Sequence, residues 1–222
     1  ALHAFLTLYH MVLLPILSRI RAEKPALVPR VLEKSQRLLF SLGVPAAVGG
    51  WFFAEAIVTL FYGDAFLESG QSLRILLFTV ALSAAVMGNG ALLAAAGLQR
   101  FNLYVGSAAA VTTVGMSLVL IPLWGHVGAA TAVLATSALR ALLSILITRR
   151  LVVKTDLKHV LLRPVAAGFV LVVVLLALPG LSLWVGVALG AVVYFGVLAL
   201  VGGITREDLG LVRDGLKGAL FR

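Results

Sequence analysis

A few polar side chains lie inside long apolar stretches of the sequence, where a polar group is costly and needs a reason. Arg140 sits about two helical turns inside one such stretch. A guanidinium there can grip a phosphate as a charge-assisted, bidentate pair. Its long side chain can equally snorkel back to the headgroups, and both readings stay open. Tyr9 and His10 lie midway along the first stretch, with His3 two turns from His10 on nearly the same face. A neutral imidazole can hydrogen-bond a substrate hydroxyl or relay a proton, or it can bond a neighbouring helix. Asn89 stands between Gly88 and Gly90. It either lines a polar path or ties down a helix that its small neighbours let approach.

No catalytic constellation accompanies these residues. The sequence has no HExxH, no Gly-rich phosphate loop with a Lys, and no Asp-rich metal pair. Its nine acids fall almost entirely in loops or at the ends of apolar stretches, and it has no cysteine for a thiolate, disulfide or metal site. Asp64 and Glu68 imitate the acidic edge of enzymes that use lipid carriers, but solvation of a loop accounts for them. The expectation is a protein that binds and moves a molecule without making or breaking a bond, with no catalytic residue, cofactor or metal.

The elements that must hold these residues follow from composition. The chain is 61% hydrophobic and 12% charged, whereas a soluble domain is roughly 45–50% apolar and about 25% charged. Lipid absorbs that surplus. Backbone groups in hydrocarbon must be satisfied internally, so the spans are helices or a closed barrel. The Leu/Val/Ala/Ile runs lack a barrel's alternation. An all-α integral membrane protein is expected, with seven transmembrane helices at about 2–20, 38–54, 73–97, 102–123, 127–148, 160–178 and 183–204. Pro15 and Pro45 fall inside spans and are the candidate hinges. Gly186 and Gly190 form a GxxxG that permits close helix contact.

The net charge of +9 is distributed by loop. Arg19, Arg21, Lys24, Arg30, Lys34 and Arg37 follow the first span, Arg100 the third, and Arg149, Arg150, Lys154 and Lys158 the fifth. The loops after spans two, four and six are neutral or acidic. Basic loops stay in the cytoplasm, so the C-terminus is expected inside and the N-terminus outside. The charge therefore serves orientation and anionic membrane lipids, not nucleic acid. An outside N-terminus that opens at Ala1 in an apolar run suggests a fragment preceded by an odd number of spans. Residues 205–222 read as an amphipathic cytoplasmic tail, with Leu209, Val212, Leu216 and Leu220 on one face.

Several segments resemble the polysaccharide flippases of the multidrug/oligosaccharidyl-lipid/polysaccharide exporter superfamily. They are Leu14-Pro15-Ile16-Leu17-Ser18-Arg19, the run Ala54-Glu55-Ala56-Ile57-Val58-Thr59-Leu60-Phe61-Tyr62-Gly63-Asp64-Ala65-Phe66, and Ser72-Leu73-Arg74-Ile75-Leu76. Two more are Leu93-Ala94-Ala95-Ala96-Gly97-Leu98-Gln99-Arg100 and Ile121-Pro122-Leu123-Trp124-Gly125-His126-Val127-Gly128-Ala129-Ala130. Where the family often has an Asn before the Ile-Pro, this chain has Ser117. The resemblance implies the C-terminal half of a two-lobed, fourteen-span transporter, its spans eight to fourteen. It divides the chain into 1–37 (first helix and basic loop), 38–204 (a six-helix polysaccharide-biosynthesis region) and 205–222 (tail).

The implied activity is flipping of a lipid-linked oligosaccharide across the bacterial inner membrane for surface polysaccharide such as O-antigen. Arg140 would hold the pyrophosphate, with Tyr9, His10 and Asn89 along the sugar path. The implied partners are that lipid-linked substrate, membrane lipids and the missing N-terminal lobe. A lipid II flippase or cation-coupled drug exporter of the same superfamily is the alternative reading, and a membrane-embedded glycan polymerase or ligase a further one.

Overall fold

The computed structural model describes residues 2–202, without the side chains of residues 2–11, Leu157 and His159. The expected amphipathic tail lies outside the described residues. Helix α1 (Leu2–Glu23) runs on through Pro15. A 3-10 turn at Pro25–Leu27 leads into α2 (Val28–Tyr62), with Pro29 in its first turn. There the missing N–H costs nothing.

Helix α2 is longer than the span expected at 38–54. Its 35 residues reach roughly 50 Å, against a hydrocarbon core of about 30 Å. Arg30, Lys34 and Arg37 are thus helical, not a loop, and the helix also continues through Glu55, past the expected end of the span. The reason is in the pattern: Val28, Leu32, Gln36 and Leu39 continue the inward face below the apolar run and are buried.

The third span is broken. Helix α3 (Ser69–Ala85) stops, and a separate α4 (Asn89–Ala95) begins after Gly88. The fourth and fifth spans are two arms of one element, α5 (Gln99–Leu151), folded back at Gly125. Gly125 has φ 55° and ψ −130°, a conformation open only to glycine. At Gly128 a Cβ would stand 2.0 Å from the carbonyl oxygen of Leu120, so the arms close there only without a side chain. Across the arms Thr113 donates to Thr136, Oγ1 to Oγ1, at 3.0 Å. Helix α6 (Leu157–Ala177) is capped by Asp156, which accepts the Lys158 N–H. Helix α7 (Leu183–Leu200) returns, and Arg163 donates to the Gly202 carbonyl just past its end. Among the described residues seven helical segments stand at the positions of the seven expected spans, and five helices, α5 counted as one, are long and apolar enough to cross a membrane.

Among the described residues the hydrophobic interior forms two cores. One joins Leu13 and Leu17 of α1, Val28 and Leu32 of α2, and Ala91 and Leu92 of α4. The other joins Phe40, Val44 and Ala47 of α2, Ala81 and Ala85 of α3, Ala167, Leu171 and Leu175 of α6, and Tyr194 and Leu198 of α7. Large apolar side chains cover the outside as well: Trp184 and Val192 are each 72% exposed, Val111 and Leu118 73%. Water would not tolerate such a surface, but lipid does. The molecule is an all-α integral membrane protein.

Candidate functional site

Two features could handle an amphiphilic molecule: a set of polar groups around α4 and an apolar pocket among α2, α6 and α7. The polar set starts at Asn89, the first residue of α4. Its Oδ1 accepts from Gln36 Nε2 of α2 at 2.8 Å. Both residues are buried, Gln36 to 1% exposure and Asn89 to 2%. The Gly90 carbonyl accepts from Asn102 Nδ2 of α5 at 2.9 Å. At the other end of α4, the Ala95 carbonyl accepts from Arg21 of α1 at 2.8 Å. The last of these satisfies an end carbonyl that a short helix leaves open. Gln36 Oε1 remains buried without a hydrogen-bond partner.

The pocket encloses about 320 Å³, and its fourteen lining residues are all apolar or glycine. Gly49, Gly50 and Phe53 of α2 face Leu171 and Leu175 of α6 and Gly186, Gly190 and Phe195 of α7. On α2 these positions lie in the half away from the basic residues. The glycines shape it: a Cβ on Gly186 would stand 2.1 Å from the Phe53 ring, and one on Gly190 3.3 Å from Leu171 Cδ1. The Gly186/Gly190 motif therefore packs inward, against α2 and α6.

The residues singled out from the sequence do not converge. Arg140 is exposed on the second arm of α5. Asn89 is enclosed on α4 with its amide turned to Gln36. Tyr9 and His10 lie on α1, their side chains outside the described residues. Pro15 is exposed on α1. Pro45 lines the pocket and removes the N–H that would bond the Ser41 carbonyl. Among the described residues no cluster of three His, Cys, Asp or Glu exists to hold a metal ion. Gln36 and the α2 glycines Gly49 and Gly50 were not singled out from sequence, whereas Gly186 and Gly190 were, as a contact motif. A lone amide in a basic stretch, and glycines in Gly-rich spans, carry no distinguishing signal.

Comparison with known proteins agrees with this architecture. Residues 2–71 match the family model described as "Polysaccharide biosynthesis protein". No curated protein matches the sequence. Among solved structures, the chain is similar to a lipid II flippase, MurJ, in its inward closed conformation. The TM-score is 0.70 and the identity 12%, over 86% of this chain and 42% of that one. The chain thus spans less than half the length of the protein whose fold it shares. The family match covers the first third of the chain, and the structural likeness shows a shared fold.

Proposed function

We propose that this chain is one lobe of an alternating-access transporter that flips a lipid-linked oligosaccharide for bacterial polysaccharide biosynthesis. The observation that carries the reading is the fold shared with a lipid II flippase, joined to the polysaccharide-biosynthesis match at residues 2–71. The chemistry of the lobe suits such a cargo. A polyprenyl chain needs a dry, apolar seat, and the pocket among α2, α6 and α7 offers one. A pyrophosphate needs a cation inside the apolar zone, and Arg140 supplies it. Tyr9, His10 and Asn89 stand as candidate sugar contacts, Asn89 only in a conformation that releases Gln36. The basic ends of α1, α2 and α5 face the cytoplasm of the inner membrane in this reading, and a second lobe completes the cavity.

Lipid II is the second reading for the cargo, favoured by the fold neighbour itself. Cation-coupled drug export fits less well. Such exporters use intramembrane carboxylates, and Glu55, the candidate in these spans, is engaged by Arg74 at 2.7 Å. The test is Arg140→Ala in the full-length protein. It should lower export of surface polysaccharide without lowering the amount of protein in the membrane. Unchanged export would remove Arg140 from the mechanism.

A further inference from the structure

The two cores divide the molecule along a definite line. That line crosses α2 between Leu32 and Phe40, and it crosses the third span between Ala85 and Ala91. In the third span the crossing is the break itself, Val86 to Gly88. In α2 it is the turn that carries Gln36. The one buried side-chain pair at this boundary is Gln36 with Asn89, among the described residues.

Nothing covalent forces the break, since no proline lies near it. It rests on Gly88, at φ 93°, a backbone state that other residues seldom adopt. A Cβ on Gly88 would stand 2.8 Å from both Leu13 Cδ2 and Leu32 Cδ1, so the first core closes directly over it. Every polar tie described above holds α4 to something other than α3: Gln36 at its start, Asn102 beside it, Arg21 at its end. Helix α5 packs against both halves of the broken span, yet its hydrogen bond to that span, from Asn102, goes to α4. In α2 the crossing is one uninterrupted turn; Pro45, which leaves the Ser41 carbonyl without its helical donor, lies beyond it, inside the second core. Two packed bodies joined by a glycine break and a single helical crossing at Gln36 have the anatomy of a hinge.

We infer that the lobe contains a hinge at Val86–Gly88, latched by the Gln36–Asn89 hydrogen bond, on which the α1–α4 core swings against the α2–α6–α7 core. The latch is a single neutral bond, so breaking it is cheap enough for a transport cycle and costly enough to bias the resting state. When it opens, the Gln36 and Asn89 amides are freed at the core boundary.

The inference goes beyond the flippase reading and is tested without cargo. The chain contributes no cysteine, so spin labels go where they are placed. In the full-length protein in lipid nanodiscs, Ile16→Cys with Phe169→Cys measures across the cores. Val173→Cys with Val192→Cys measures within the second core. Asn89→Leu or Gln36→Met removes the latch and should raise the population of the minor cross-core distance by about fivefold. The within-core distance should not change. The double exchange Gln36→Asn with Asn89→Gln restores a donor, an acceptor and the summed side-chain length. It should accumulate and return the parent distribution even if neither single variant accumulates. A cross-core distance that ignores both single variants overturns the hinge. Equal broadening of the within-core pair, or a double exchange that differs from the parent, overturns it too. Loss of transport with an intact hinge signature would instead count against the cargo reading alone.

Discussion

Arg74 donates to Glu55 at 2.7 Å, closing an ion pair across the hairpin that joins α2 to α3. Beside them a Cβ on Gly70 would come within 2.9 Å of Glu55 Cγ, so the helices meet closely where the pair forms. The two residues belong to separate motif segments, which the fold turns into one contact. Both side chains are partly exposed, 31% and 50%, so the pair fixes register more than it stabilises. Glu55→Gln should cost about 0.5 kcal/mol in a detergent unfolding experiment. Exchanging the charges, Glu55→Arg with Arg74→Glu, should recover most of it. Additive losses in that cycle would mean the charges do not couple.

Gly128→Ala should be far more damaging than its size suggests. The new methyl would meet the Leu120 carbonyl at 2.0 Å, and a backbone atom cannot step aside as a side chain can. A loss of roughly 3 kcal/mol or more is expected, with little protein reaching the membrane. Gly106→Ala, in the same element with no atom near its Cβ position, should be tolerated. Equal behaviour of the two variants would show that the hairpin is looser than described.

Tyr194 is fully buried in the second core, with its hydroxyl beside that of Ser41 but without the geometry of a hydrogen bond to it. The ring, not the hydroxyl, is then what holds the core. Tyr194→Phe should leave stability within about 1 kcal/mol of the parent, or raise it, because an unpaired buried hydroxyl is a cost. Tyr194→Ala should lose roughly 3–5 kcal/mol. A marked loss in the Phe variant would mean the hydroxyl is engaged.

Val187 lines the pocket while remaining exposed, so a larger side chain there fills the space without disturbing packed atoms. Val187→Trp should leave protein level unchanged and cut transport of a polyprenyl-linked sugar about tenfold, the effect of losing about 1.4 kcal/mol of apolar contact. Unchanged transport would show that the lipid chain does not use the pocket.

The all-helical membrane architecture was legible because an apolar surplus is a property of composition, which packing does not alter. The return at Gly125 was legible too, since Pro122, Trp124 and Gly125 punctuate one long apolar run. The length of α2 was not. Arg30, Lys34 and Arg37 read as loop because charge marks the edge of the bilayer, and a helix does not stop there. The break before α4 was hidden for the opposite reason. Leu73 to Gly97 is mostly apolar, with no proline to mark a stop, and the packing of Leu13 and Leu32 over Gly88 accompanies the end of the helix. Asn89 stood out as polar, but its partner Gln36, 53 residues away, cannot be read from one sequence.

The most direct test of the central claim is flipping by the purified full-length protein in proteoliposomes loaded on one side with a polyprenyl-pyrophosphate oligosaccharide. Sugar exposed on the other face is measured with an impermeant glycosidase. Flipping well above that of empty liposomes, reduced in Arg140→Ala and Val187→Trp, is the predicted result. Sugar that stays on its original face, with the protein folded and correctly inserted, would contradict the account.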